Sequence, residues 1–258
     1  MITTMVLVAD WVRLLIVCVA FVAAAAAITH FTGLTSPKPF LGAAARGVLQ
    51  LAAVSAVITF VLTHLGLTWA FLVLMAVVAT ATSASRTGTG RRGVWVAAAI
   101  LVGTVPALGL LLGIGLLPVQ GIALIPVGGI LIGGAMTATT LSARRALDSL
   151  HDRYGEYEAA RALGFHERDA VCLIIRKPAA EALIPALDQT RTVGLVTLPG
   201  AFVGMLLGGA PVWQAGALQI VVLLALLAVE AAAVATVVEL IARRLVRRTS
   251  QGSEVRLT

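Results

Sequence analysis

Charge is scarce in this sequence: only 12% of its 258 residues are Asp, Glu, Lys or Arg, against about 25% in a typical soluble domain. A chain so poor in charge cannot clothe a globule in hydrated groups, which excludes an ordinary cytosolic enzyme and a disordered tail. Aromatic residues make up 5%, and there are two cysteines. Cys18 lies in an apolar stretch and Cys172 in a charged one, so neither a disulfide framework nor a zinc site is supported. No G-x-x-x-x-G-K-[ST] occurs, so the chain supplies no P-loop ATPase of its own, and no G-x-S-x-G or H-E-x-x-H points to a hydrolase or zinc protease. The four histidines, His30, His64, His151 and His166, lack metal-ligand spacing. No metal-ligand set can be assigned.

What is present is apolar sequence, 59% of the chain, with a mean hydropathy of +1.00. A hydrocarbon core of about 30 Å needs roughly 17 to 25 largely apolar helical residues. Seven runs qualify: Trp11 to Thr29, Gly47 to His64, Leu67 to Ala84, Val94 to Leu117, Val119 to Leu141, Val193 to Gly209 and Ala215 to Ala242. They are continuous Leu/Val/Ala stretches without the alternation of a membrane barrel, so helix is the assignment. The sixth holds Pro199 and is short, which predicts a broken element. The expected fold is all-α: a polytopic bundle of about seven spans forming one permease-like domain over residues 1–258.

The basic residues orient it. Lys38, Arg46, Arg86, Arg91 and Arg92, eight from Arg144 to Arg191, and Arg243, Arg244, Arg247, Arg248 and Arg256 make 18 of the 19, and all fall in one alternate set of loops. The opposite loops, around Gly66, Pro118 and Ala210, have none. Positive-inside bias then puts the N-terminus outside and the C-terminus, with its basic tail 243–258, in the cytoplasm. The net +7 therefore marks membrane-flanking loops and not a nucleic-acid surface. The same count argues against a cleaved signal peptide, since removing the first span would carry Arg86, Arg91 and Arg92 to the far side.

One segment differs from the rest. Residues 142–191 hold eight of the 12 acidic and eight of the 19 basic residues, so they are dense in charge yet neutral. That composition suits specific docking more than attraction to anionic lipid. A helix is expected from a polar start at Ser142 to Leu163, ending at Gly164 as a C′ glycine, and a second from His166 to Lys177, stopped by Pro178. The two would form a cytoplasmic elbow.

Here the sequence resembles the permease subunits of bacterial ABC importers, whose cytoplasmic loop reads E-A-A, three residues, G, nine residues, I, one residue, L-P. This chain has Glu158-Ala159-Ala160, Gly164 and Ile174 at that spacing, then departs, with Arg176-Lys177-Pro178 in place of the L-P. The resemblance implies an elbow that lies in a groove of a separate ATPase subunit, with Leu163 and Phe165 as apolar contacts.

A longer, collinear set resembles the small ABC-permease family that includes bacterial proteins assigned to iron export and the membrane subunit of plant aluminium-tolerance transporters. It comprises Arg46-Gly47-Val48-Leu49-Gln50-Leu51, then Ile125-Pro126 with Gly129, Gly133, Ala135 and Met136, then Leu163-Gly164, Ala182-Leu183-Ile184-Pro185, Asp188, Thr192 to Val196, and Leu198-Pro199-Gly200. The likeness implies a homodimeric permease with two copies of an ATPase that binds ATP and Mg, working by alternating access, with no cofactor on this chain. The chain departs from the family at Ile130 and Gly134, where methionine and asparagine are usual, and at Ala201 and Phe202, where methionines are usual, while Met136 and Met205 remain. The likeness implies a metal ion as cargo, with iron export as the finer reading, and these departures leave iron itself open.

Ionisable groups within spans cost about 2.5 to 3.5 kcal/mol on insertion scales and are functional candidates. Glu230, near the middle of the last span, is the clearest; it either lines a path for a cation or proton or is a protonated or helix-paired carboxyl that stabilises the dimer. Glu239 lies about 13.5 Å further along the axis and on the opposite face, and is expected to pair with Arg243 at i,i+4. Arg46 and Gln50, one turn apart, Met136, Asp188, Pro199, Gly200 and Met205 complete the candidate translocation path. The glycines Gly128, Gly129, Gly133 and Gly134 favour close helix packing over an ion path. Gly88-Thr89-Gly90-Arg91-Arg92-Gly93 matches G-x-G-x-x-G but follows a span and not a strand, so it reads as a turn. A self-contained secondary transporter or channel and an intramembrane enzyme are the competing classes. The former has no need of the charge-dense elbow, and the latter would need convergent polar groups at one depth, where the spans offer one central acid.

Overall fold

The computed structural model describes residues 2–248, and Arg256 of the basic tail lies outside them. By contacts the chain divides at Phe60/Val61 into two compact units. The first contains α1 (Ile2–Phe31) and most of α2 (Lys38–Thr63). Leucine, valine and alanine cover the sides of both helices, and Trp11, Phe21, Val48 and Leu49 are exposed. Helices with apolar surface on all sides belong in hydrocarbon, where that exposure is favourable. Thr29 satisfies its hydroxyl inside α1 by donating to the carbonyls of Ala25 (3.0 Å) and Ala26 (3.1 Å).

The second unit is built around α5 (Gly121–Asp152), which packs against α3 (Leu65–Thr87), α4 (Val94–Gly113), α10 (Val212–Ala242) and α7 (Glu167–Ala180). Small residues set these contacts. A β-carbon at Gly128 would lie 2.6 Å from Leu72 Cδ2 and one at Gly129 2.9 Å from Met75 Cε, so this pair seats α3. Gly103 of α4 lies against α10, where a β-carbon would come within 2.9 Å of the Val229 Cα and carbonyl oxygen. The glycine-rich stretch of α5 thus serves packing, as close approach of membrane helices requires, and it does so on two faces: α3 on one, α10 at Gly134 on the other. Thr140 of α5 donates to Ser83 of α3 at 2.9 Å, a buried hydroxyl pair across that contact.

Two apolar cores result. One, with Leu72, Ile100, Leu124, Leu131, Val222 and Val229, fills the space between α3, α4, α5 and α10. The other joins the far ends of α5 and α10 to the charge-dense segment through Leu147, Tyr157, Ile174, Ile175, Val237 and Ile241. Among the described residues six helices are long and apolar enough to cross a membrane: α1 from Trp11 onward, α2, α3, α4, α5 and α10. The protein is multi-pass, and the bundle is all-α among the described residues.

Three expectations need correction. No helix begins at Ser142: α5 runs through it to Asp152, and Ser142 is buried with its hydroxyl donating back to Thr139 O at 3.2 Å instead of capping a new helix. Ala143, Ala146 and Leu147 continue a buried stripe there, which holds the helix past the end of the apolar run. The break falls at Arg153, before α6 (Tyr154–Ala162). Nor does Pro178 end its helix; α7 continues to Ala180 and passes through a 3₁₀ turn, Glu181–Leu183, into α8 (Ile184–Thr192). Burial of Ile174, Ile175, Ala179 and Ala182 along one side outweighs the hydrogen bond that proline removes.

The third correction concerns the sixth span, which is not one helix over Val193 to Gly209. Residues 193–199 are irregular, with Gly194 at φ +84° donating to Thr197 O at 2.8 Å, and helix resumes only at α9 (Gly200–Leu207). Eight residues rise about 12 Å, too little to cross a membrane. The element is broken as expected, but Pro199 starts a helix instead of interrupting one, its fixed φ being suited to a helix entrance. The G-x-G-x-x-G segment is a turn that leads through a 3₁₀ stretch, Gly90–Gly93, into α4.

Candidate coupling elbow and intramembrane acid

α6 is a nine-residue helix whose end is fixed by glycine. Gly164 has φ +90°, where a side chain would be strained. Around it Phe165 N donates to Ala160 O (3.1 Å) and Gly164 N to Arg161 O (3.0 Å), the paired closure of a Schellman motif. One face of the helix, Tyr157 and Ala160, is buried, and the other carries exposed Glu158, Ala159 and Arg161. Leu163 is 79% exposed and Phe165 45%. Arg153 holds the start of α6 by donating to Glu156 (Nε to Oε1, 2.7 Å), and this bond keeps the Glu156 carboxyl below the usual carboxylate range.

Ile174, expected among the coupling contacts, is only 1% exposed. It belongs to the core beneath α7 and anchors the elbow instead of presenting it.

Ion pairs join the elbow to the long helices. Glu239 near the end of α10 accepts from Arg243 (2.6 Å), as the i,i+4 spacing predicts, and also from Arg168 of α7 (2.7 Å). That second bond raises the Arg168 pKa above the ordinary guanidinium value. Arg244, just past α10, donates to the Tyr157 hydroxyl at 3.1 Å and pairs with Glu167 at the start of α7. Arg248 reaches Asp148 of α5 (2.6 Å), and Arg145 of α5 reaches Glu181 (3.3 Å). Tyr157, Arg168 and Arg244 were not singled out from sequence, because partners 71 to 87 positions away leave no local signal.

The path candidates are spread out. Arg46 and Gln50 are exposed on α2, in the first unit. Met136 and Met205 are half-buried, Gly200 is exposed and Pro199 half-buried. Asp188 is exposed on α8 beside Arg191, at 3.5 Å. Glu230 alone is deep: it is 8% exposed, and no hydrogen bond or ion pair reaches it among the described residues. It faces Gly134 of α5, where a β-carbon would lie 2.8 Å from Glu230 Oε1 and closer still to Leu226. No group of three or more His, Cys, Asp or Glu is placed to hold a metal among the described residues.

Residues 11–246 match the model of an uncharacterised protein family, UPF0014. The chain belongs to the UPF0014 family. Related UPF0014 proteins extend from plants to bacteria. The chain is 36% identical over 207 residues to "UPF0014 membrane protein STAR2" of Oryza sativa subsp. japonica, spanning 79% of this chain and 73% of that protein. It is 35% identical over 181 residues to "Protein ALUMINUM SENSITIVE 3" of Arabidopsis thaliana, 69% and 66% of the respective chains. Against the "Probable iron export permease protein FetB" of Escherichia coli strain K12 it is 32% identical over 129 residues, half of each chain. No solved structure matches. In this UPF0014 protein Gly134 lets Leu226 and the Glu230 carboxyl of α10 lie directly against α5, where a β-carbon would come within 2.3 and 2.8 Å of them.

Proposed function

We propose that this chain is the membrane-spanning permease subunit of an ABC transporter, moving a metal cation across the cell membrane by alternating access. The observation that carries the reading is the α6 elbow: a short helix with Leu163 and Phe165 outward, closed by Gly164, and held on its inner face by Tyr157 and Ala160. An exposed apolar tip rimmed by charge is the expected form of a protein-docking element. The relative named as an iron export permease supports transport as the activity and a metal ion as the cargo class.

In this reading the basic ends face the cytoplasm, the C-terminus with them. Two copies of the chain pair, and each elbow receives one ATPase, which binds ATP and Mg and performs the hydrolysis. The chain itself is a path and not an enzyme. Closure of the ATPases pushes α6. Because α6 and α7 share a core with the ends of α5 and α10, and Arg168, Arg244 and Arg248 tie the four helices together, the push moves α5 and α10 and does not merely bend a loop.

The test is association. Full-length chain in detergent should co-purify a P-loop ATPase from its own cells, and Glu158→Lys or Gly164→Pro should lower transport while the protein stays in the membrane. Undiminished ATPase association and transport in both variants would sink the elbow assignment.

A further inference from the structure

The arginines at the charged end of the second unit fall into two sets. Arg145, Arg153 and Arg168, in and beside the elbow, each pair with a carboxylate: Glu181, Glu156 and Glu239. Arg86, Arg144 and Arg247 are exposed, and none of the three makes a hydrogen bond or ion pair among the described residues. The sequence around them supplies little negative charge. No Asp or Glu occurs from Trp11 to Leu147 or from Leu240 to Ser253, and Asp148, the first carboxylate past the longer gap, is taken by Arg248 at 2.6 Å.

The unpaired arginines share one corner. Contacts between α3 and α5 advance together, from Leu72 against Gly128 to Ser83 against Thr140, so the helices run parallel. Arg86 and Arg144 each stand about one turn beyond the last of these contacts. The chain leaving α10 comes to the same place: a β-carbon at Gly88 would lie 4.0 Å from Arg248 Cγ, and Arg247 precedes it. The 3₁₀ turn Gly90–Gly93 adds Arg91 and Arg92 to this corner. Each free arginine also follows closely on an apolar run, Arg86 after Ala84, Arg144 after Leu141 and Arg247 after Ala242, which is the level of lipid headgroups. Beside Arg86 an open groove of about 440 Å³ lies over Ala81, Ala84, Ser85, Gly88 and Gly90, alanine toward the membrane and the polar turn at its end.

We infer that this corner binds an anionic phospholipid of the adjoining leaflet, with Arg86, Arg144 and Arg247 on its phosphate and headgroup. Guanidinium forks match phosphate oxygens, and a lipid carries its negative charge to the depth at which these side chains emerge. The groove on α3 gives an acyl chain a place to lie against small residues. A soluble polyanion would match the charge but neither the depth nor the groove. The elbow, whose arginines are already paired, is left to a protein partner, so docking of lipid and docking of protein occupy different surfaces. The site requires only that the chain spans a membrane, and stands or falls independently of the ABC reading.

The test is thermal unfolding of the full-length chain in a neutral detergent, titrated with phosphatidylglycerol or with phosphatidylcholine of the same acyl chains. Phosphatidylglycerol should raise the midpoint and phosphatidylcholine should not, and high salt should abolish the difference. The triple variant Arg86→Gln, Arg144→Gln, Arg247→Gln should need at least about tenfold more phosphatidylglycerol for the same rise, with its lipid-free midpoint unchanged because all three residues are exposed. Arg247→Gln alone should show a smaller loss in the same direction. Lys38→Gln with Arg46→Gln, which removes two membrane-flanking cations of the first unit, should leave the titration as it was. Equal stabilisation by both lipids, no loss in the arginine variants, an equal loss in the Lys38 and Arg46 variant, or the same rise with inorganic phosphate at the same concentration overturns the site.

Discussion

Arg244 donates from Nη2 to the hydroxyl of Tyr157 at 3.1 Å, bridging 87 positions of sequence to join the end of α10 to the buried face of α6. Arg244 has φ +58° and is the one non-glycine residue with positive φ among the described residues. That conformation turns the chain so that Val246 can bury itself and Arg248 can reach Asp148. The strain of a side chain at positive φ, about 1 to 2 kcal/mol, is offset by these contacts.

Arg244→Ala therefore should loosen the elbow without altering its outer face. ATPase association should persist, while transport per ATP hydrolysed falls severalfold, because the push on α6 no longer reaches α10. The check is a paired measurement of ATPase binding and coupled transport in vesicles. Arg244→Gly, which relieves the backbone but removes the same bonds, should show the same uncoupling. Coupling in both variants undiminished from that of the unsubstituted protein would show that the link is not mechanical.

Gly103 predicts a stability effect. A β-carbon there would come within 2.9 Å of the Val229 backbone and 3.1 Å of Ala232 Cβ, so Gly103→Ala forces α4 away from α10. Overpacking of this kind costs about 1 to 3 kcal/mol, measurable as a lowered midpoint of thermal unfolding in detergent. Gly109→Ala, on the same helix with nothing within 4 Å, should leave the midpoint unchanged.

How much of this was legible beforehand follows from how local each signal is. Most of the long spans could be read because each is a continuous apolar run whose cost of exposure to water leaves no other place for it. Gly164 could be read because a C′ glycine is a local requirement. The start at Ser142 misled because a serine hydroxyl that bonds its own helix looks, in sequence, like one that caps the next. The region around Val196 misled because hydropathy reports where a segment is comfortable and not whether it is helical. The lone acid Glu230 stood out by type, but its neighbour Gly134, eight dozen positions earlier, had to be found in space.

The Thr140 to Ser83 bond tests whether polar contacts or glycine packing hold α3 to α5. Removing one hydroxyl in the membrane costs about 0.6 kcal/mol on average and up to about 1.7. Ser83→Ala should fall in that range by unfolding in detergent. Gly128→Leu, which collides with Leu72, should cost more. A reversed order would assign the contact to the hydroxyls.

Leu163 separates docking from folding most cleanly. At 79% exposure it contributes little to the protein's own core, so Leu163→Asp should change stability by no more than about 0.5 kcal/mol. Burying the same leucine in a partner's groove would be worth about 1.5 to 3 kcal/mol, so its loss, with a carboxylate left facing an apolar pocket, should weaken ATPase affinity by at least about tenfold. Ile174→Ala should do the reverse. That residue lies in the core under α7, and shortening it should cost about 2 to 5 kcal/mol of stability while leaving the outer face of α6 chemically intact. Thermal unfolding and ATPase pull-down on the same two variants read both quantities, and a double dissociation between them is the result expected of an elbow whose tip docks and whose base transmits.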